Sequence, residues 1–440
     1  MRNDLVHKKY IKNTIQNIER YRTLRLIIIY FIPIFMPINI FSKYISILEF
    51  LLIMSLLDND DYLLCLPILI FFYQQMTIGS ISVFRLYTIA YFLRFIYAPK
   101  HDYNELKHYS LQAFIGLFFS VFVICPRELQ RGCFICLDII SIWFITSEIR
   151  AKKISTRLLR WIVNAAIVSC FYGYFSHDAI ILNEAINGTV YVMERYMGSF
   201  NDPNYASLFI NIGIIICIAN PECFRTKMAR YCSLILLTLG LAATISMTGI
   251  ITLTIILLVF FVLKHNFKGI LGIIAIICVL VIISTYYRDI NPDGVLGQLY
   301  NRIVSKIGYL SNNDYDGFST DRTSLAIKHW HYFWDQGNGL SILFGGNPIS
   351  AAYTDRLVIN KAAHNEYVDL LLSIGIVGWI AYMGSYLYMY IKDITRLKLY
   401  KSSEIYNEKN SLILIRFCYL LYGFTLTMFL DHRFLFLMFI

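Results

Sequence analysis

The chain has 440 residues, of which 57% are hydrophobic and only 15% charged, with a formal net charge of +10. That composition lies outside the range of soluble domains and excludes a soluble enzyme held by one anchor. The positive charge is spread between apolar runs rather than gathered into a basic patch, which excludes nucleic acid as a partner.

Cutting the apolar runs at charged or turn-rich breaks gives about thirteen segments near the length of a bilayer-crossing helix. The fold expected is an all-α polytopic membrane protein of about 12–14 transmembrane helices with one large extracytoplasmic loop. Arg2, Lys8, Lys9, Lys12, Arg20, Arg22 and Arg25 precede the first run, which no small-x-small cleavage site follows, so it is predicted as an uncleaved span. Predicted spans cover 24–41, 44–57, 63–78, 80–97, 109–125, 132–149 and 158–175. The second and third are short enough for a tilted pair or a re-entrant element. After an outer loop at 176–204 come 205–219, 231–247, 249–263 and 270–285, then a polar stretch at 286–364, and finally 367–390 and 412–430. This divides the chain into an N-terminal bundle at 1–285, the large loop at 286–364 and C-terminal helices at 365–440. With a cytoplasmic N-terminus, the inner loops hold 23 Lys and Arg against five in the short outer loops. Basic residues near helix ends resist translocation, so this split predicts the orientation in a plasma membrane, with the large loop outside.

Ten cysteines are scattered, and Cys133 and Cys136 form a lone C-x-x-C without a second pair or nearby histidine. Packed or lipid-facing thiols are expected, and no metal site. Arg85, Arg94, Arg160, Arg416, Glu49, Asp138 and Glu148 fall within or at the edges of spans, where charge usually faces a cavity or a partner. Arg94, Glu148 and Arg160 are close enough to a span end to snorkel. Arg85, early in a span that starts at the outer face, is a candidate to receive an anionic headgroup.

The stretch 286–364 is too long for a connector and is expected to form a small cap, with a turn at Asn291-Pro292-Asp293-Gly294. Ser319-Thr320-Asp321 offers N-cap oxygens to a partly amphipathic helix carrying Leu325, Ile327, Trp330, Phe333 and Trp334, suited to the membrane interface. Arg322 in its first turn is either a phosphate seat, helped by free backbone N–H groups, or a surface arginine beside Asp321. Arg195 has the same two readings, an anion contact or an exposed ion pair with Glu194. Asp202 is a weaker candidate for an acceptor contact, and Arg288 and Arg302 are reserves on the same face.

His364 and Asn365 sit where the large loop meets a span. A lone interface histidine is usually structural, but imidazole takes a proton near neutral pH, so His364 is a candidate base, with Asn365, Glu366 or Asp369 orienting it or the acceptor. Gly375 and Gly378 follow at fixed spacing. This His-Asn pair with its later Gly-x-x-Gly resembles the bacterial O-antigen polymerase and O-antigen ligase superfamily. Two further blocks are similar: Arg195 to Ala206, with Gly198 and Pro203-Asn204, and Asp321-Arg322-Thr323 with the later Phe344-Gly345-Gly346. The resemblance covers most of residues 160–390.

The resemblance implies a metal-independent glycosyltransferase without cofactors, acting on undecaprenyl-pyrophosphate-linked oligosaccharides at the outer face of a bacterial plasma membrane. Its partners are those glycans and membrane lipids, with a chain-length regulator as a candidate. It implies His364 as base on the acceptor hydroxyl and Arg195 and Arg322 as pyrophosphate clamps. The leading expectation is a polymerase of O-antigen or capsular repeat units. The alternative is a ligase passing the finished glycan to lipid A core or protein. A lipid-linked sugar transporter fits less well, because no internal repeat is visible and the polar residues gather in an outer cap.

Overall fold

The computed structural model describes residues 21–38, 40–79, 81–96, 103–124, 129–186, 189–264, 266–291, 294–335, 339–345, 363–400, 402–426, 428 and 431–440. The basic residues ahead of Tyr21, Pro292 and Asp293 of the predicted 291–294 turn, and Gly346 lie outside them. The protein is an all-α membrane protein. Among the described residues four helices are long and apolar enough to cross a membrane: Tyr21–Ile38, Gly132–Ala151, Ser155–Ser176 and Glu366–Leu397. Shorter apolar helices include Pro203–Ala219 and Met247–Leu263. Large side chains such as Ile235, Leu239, Val262 and Ile282 remain exposed, as lipid-facing residues are.

Pro203–Ala219 is the centre of the bundle and is buried around nearly its whole circumference. Its sequence explains this, because a helix apolar on all faces has no water-facing side. It starts where Asp202 accepts the Asn204 N–H at 2.6 Å and Pro203 fixes the first turn. Around it pack Ser155–Ser176, Lys227–Thr244, Met247–Leu263 and Ser403–Tyr422.

Two expectations change. The predicted span 63–78 is broken into Asn59–Leu63 and Leu66–Phe71, with Pro67 opening the second piece. Leu64 to Phe72 are buried in the bundle, so the broken backbone at this depth is surrounded by protein, the condition under which it is tolerated in a membrane. The loop 176–204 contains an antiparallel hairpin, Ala179–Ile186 with Thr189–Tyr196, in which Ile180 pairs with Arg195. Strand alternation exposes Val192 and Glu194 while burying Met193 and Arg195. Neighbouring strand residues face opposite ways, so Arg195 is not a surface partner of Glu194.

The large loop is helical: Val295–Ser311, Tyr315–Ser319, Arg322–Asp335 and Gly339–Phe344. Val295–Ser311 is inverted relative to an ordinary amphipathic helix. It buries Leu299, Arg302, Ser305 and Lys306 on one face and exposes Val304, Ile307 and Leu310 on another. Its Gln298 Oε1 accepts the Glu194 N–H at 2.7 Å and ties the helix to the hairpin. In Arg322–Asp335, Phe333 is buried while Ile327, Trp330 and Trp334 are exposed, the arrangement expected of an interfacial helix.

Candidate functional site

A cavity of about 490 Å³ lies between Met247–Leu263, the hairpin, the helices of the large loop and the start of Glu366–Leu397. Four cations line it: Arg195, Arg302, Lys306 and Arg322. Asn204, Thr320, Thr323 and Asn365 add polar groups. No carboxylate is among the described residues of its wall. Met247, Ile251 and Ile255 run down one side at every fourth position, so an apolar stripe leads away from the charged end.

Each cation is placed by its own element. The hairpin turns Arg195 inward, where its Nε donates to the Thr244 carbonyl at 3.2 Å and a terminal nitrogen donates to Asn204 Oδ1 at 3.2 Å. Arg302 and Lys306, four residues apart on one helix, both reach Thr320 Oγ1, at 3.4 and 3.2 Å. Lys306 Nζ also donates to the Gly317 carbonyl at 2.7 Å. Thr320 is held with positive φ, which aims its hydroxyl at this pair. Arg322 opens the helix Arg322–Asp335 on the facing wall.

Crowding is visible in the protonation equilibria. Burial, reinforced by Arg322 against the pull of Asp202, lowers the Arg195 guanidinium to about 10. Burial and Arg322 lower Arg302 to about 10. Lys306 falls to about 7, first through burial and then through Arg302, Arg195 and Arg322, with Asp314 opposing. Burial also lowers Arg322, with Asp202 and Tyr205 opposing. Several cations elsewhere are paired with acids: Arg157 with Asp61 at 2.9 Å, Lys152 with Asp60 at 2.9 Å, and Arg416 with Asp393. Gathering four cations in one buried place is costly, and functional sites are where such costs are retained. A dianion entering the cavity replaces mutual repulsion with charge-assisted hydrogen bonds.

The predicted site residues fall into three groups. Arg195, Arg322 and Asn365 come together on the cavity wall. Asp202 stands behind it as a helix cap and bears electrostatically on both arginines. His364 immediately precedes Asn365, half-buried, with its backbone in the left-handed region at φ 50, but is not itself among the lining residues. A non-glycine residue held there carries backbone strain, a feature that clusters at functional sites. Asn365 Oδ1 accepts the N–H groups of Tyr367 and Val368 at 3.1 and 3.3 Å and so begins the helix. Glu366, a candidate orienting group, accepts the Met428 N–H.

Arg85 is not brought to the cavity. Its guanidinium lies 3.7 Å from the centre of the Phe134 ring, near Asp138, so the headgroup contact expected of it has no geometric support. The free N–H groups expected at the start of Arg322–Asp335 are also revised. Thr323 and Ser324 donate theirs to Ser319 Oγ at 3.1 Å and Asp316 Oδ1 at 3.0 Å, leaving the Arg322 side chain as the main attraction for an anion.

The sequence reading missed Lys306 and the polar network behind Arg195. Asn204 Oδ1 also accepts from Ser246 Oγ at 2.8 Å, Ser246 Oγ lies 3.1 Å from Ser207 Oγ, and Tyr422 Oη reaches Ser207 Oγ at 2.9 Å and Asn211 Nδ2 at 3.0 Å. The i, i+4 spacing from Arg302 was the available signal for Lys306, whereas nothing local marks Tyr422. Tyr422→Phe removes the hydroxyl from this network and is expected to destabilise the protein by about 1 kcal/mol. A thermal midpoint in detergent equal to wild type would show that the network does not support the site.

The bundle and cavity therefore define a membrane protein with a cation-lined cavity that has an apolar stripe along one wall. Residues 232–383, about a third of the chain, match the family model described as O-antigen ligase. The matched segment includes Met247–Leu263, three of the four cavity cations, His364-Asn365 and both glycines of the Gly-x-x-Gly helix. The match supports the O-antigen polymerase and ligase superfamily, whose members are glycosyl-transferring enzymes of surface-polysaccharide synthesis acting on lipid-linked oligosaccharides. No curated protein matches the chain.

Proposed function

We propose that the protein polymerises undecaprenyl-pyrophosphate-linked repeat units into O-antigen or capsular polysaccharide on the outer face of the plasma membrane, with its N-terminus cytoplasmic. The observation that carries this reading is the four-cation cavity with Met247, Ile251 and Ile255 running away from it. The cations suit a pyrophosphate and the stripe suits the first isoprene units of its lipid.

In the reaction, the acceptor sugar hydroxyl attacks the anomeric carbon of the donor glycan as the bond from that carbon to the pyrophosphate oxygen breaks. The hydroxyl proton passes to His364, and the lipid pyrophosphate departs with the bonding electron pair. Arg195 and Arg322 stabilise the negative charge that accumulates on the leaving group, more in the transition state than in the ground state. Asn365, next to His364 in the chain and on the cavity wall, holds the acceptor in this reading. The chemistry needs neither a metal nor a redox cofactor, because guanidinium groups supply the charge and imidazole takes the proton.

A strain lacking the gene, complemented with wild type or His364→Ala at equal membrane levels, separates the readings. The polymerase reading expects single repeat units in the deletion strain, a restored ladder with wild type and none with His364→Ala. Accumulation of long lipid-linked polymer with none transferred makes the protein a ligase. A normal ladder with His364→Ala removes the histidine from catalysis.

A further inference from the structure

We propose that Asn204 is a positioning residue for the donor, holding the Arg195 guanidinium towards the pyrophosphate through an acceptor that leaves its charge intact. The inference rests on the donor-site reading above and gives a role to a side chain which that reading leaves unused. Asn204 is buried, lines the cavity and lies in the first turn of Pro203–Ala219. Its Oδ1 accepts from a terminal nitrogen of Arg195 at 3.2 Å, while Arg195 Nε donates to the Thr244 carbonyl at 3.2 Å. Arginine carries only donors, so the atom facing it must be the amide oxygen, which fixes the orientation of the Asn204 side chain.

The seat for the guanidinium is built where two spans join. Lys227–Thr244 ends as the chain turns through Ile245, fully buried and in the left-handed region at φ 47. A β-branched residue held there carries strain, a feature that clusters at functional sites. The end of a helix leaves its last carbonyls without partners inside the helix, and Arg195 Nε takes up the one on Thr244. Ser246 then caps Met247–Leu263. Its Oγ accepts the Gly249 N–H at 3.2 Å and gives its own proton to Asn204 Oδ1 at 2.8 Å. Asn204 is therefore held by the neighbouring span on one side and holds Arg195 on the other.

Charge explains why an amide serves here. A carboxylate in this place would grip the guanidinium more strongly, but it would also neutralise the charge that a departing pyrophosphate needs. Asp202, the acid that bears on Arg195, accepts the Asn204 backbone N–H at 2.6 Å and is committed to starting the helix. The two acceptors that position Arg195 are thus both neutral.

The test uses the full chain in nanodiscs, a lipid-linked repeat unit isolated from a strain lacking the gene as substrate, and a synthetic farnesyl pyrophosphate ester of N-acetylglucosamine as binding probe. Asn204→Asp adds an ion pair and an acid in a first helical turn, so its thermal midpoint is expected to equal or exceed that of wild type. It is nevertheless expected to bind the probe about tenfold more weakly and to transfer glycan about 10²-fold more slowly. Asn204→Ala leaves the guanidinium charged but poorly aimed. Its turnover is expected to fall about tenfold, with probe affinity within about twofold of wild type. In an Arg195→Ala background, where no guanidinium remains to be held, Asn204→Ala is expected to cost nothing further. An equal loss from Asn204→Ala in both backgrounds, or wild-type transfer by Asn204→Asp, overturns the proposal while leaving the donor site standing. If Arg195→Ala binds the probe and transfers glycan as well as wild type, the donor-site reading fails and the proposal with it.

Discussion

Arg322→Ala is expected to slow glycan transfer by about 10²-fold or more without removing the protein from the membrane. In the proposed reaction the loss appears in turnover, because the guanidinium would act on a leaving group whose negative charge is greatest as the glycosidic bond breaks. Stability is expected to move the other way. Arg322 depresses the protonation of Arg195, Arg302 and Lys306, so its removal relieves repulsion on three buried cations at once. A midpoint equal to or above that of wild type, combined with lost transfer, is the signature of a residue retained for function against its cost in stability. Arg322→Lys keeps the charge but not the planar fork and is expected to recover only part of the rate. Repeat-unit incorporation per unit of membrane-bound protein measures this, and wild-type incorporation by Arg322→Ala would remove the residue from the donor site.

Gly375→Ala is expected to have the largest structural effect of any single methyl addition near the site. Gly375 interrupts the helix Glu366–Leu397 with φ 66 and ψ −177, a conformation suited to glycine alone. A Cβ there would lie 2.5 Å from the Leu343 carbonyl carbon and oxygen and would also strike the backbone nitrogen of Gly345. The converse holds at Gly345, with φ 78, where a Cβ would lie 2.6 Å from the Ser373 carbonyl carbon and the Ile374 nitrogen. Two glycines thus let the end of Gly339–Phe344 rest directly on the broken helix, fixing the large loop against the span that follows His364. Backbone cannot yield as a flexible side chain can, so either alanine forces the two segments apart. The expected result is loss of activity together with faster proteolysis of the large loop in intact membranes. Wild-type protection and activity in Gly375→Ala would contradict the docking role assigned to this contact.

These two residues show how the site was legible and where it was not. The spacing of His364, Asn365, Gly375 and Gly378 identified the segment because the motif is contiguous. What Gly375 does was hidden, since its partner Gly345 is thirty residues earlier and the need for glycine lies in their close approach. Arg195 was named from its block, but its inward orientation depends on a hairpin that hydropathy does not signal. Asn187-Gly188 between two alternating runs was the local clue to that hairpin. Long spans such as Ser155–Ser176, expected at 158–175, came within a few residues because apolar length alone determines them. The broken element at Asn59–Leu63 and Leu66–Phe71 did not, because burial inside protein and exposure to lipid make the same demand on composition. Arg85 was a candidate for a related reason, since an arginine beside a ring and an arginine at a cavity read alike until the neighbouring helix is placed.

The most direct measurement gives the purified protein, in nanodiscs, a single lipid-linked repeat unit isolated from a strain lacking the gene. Glycan length and released undecaprenyl pyrophosphate are then followed together. The account predicts lipid-linked chains of increasing length, one lipid pyrophosphate released for each unit added, and neither product from His364→Ala or Arg322→Ala protein. Repeat units that stay single until lipid A core is supplied, and then pass to it once, would contradict the polymerase account and assign the cavity to a ligase.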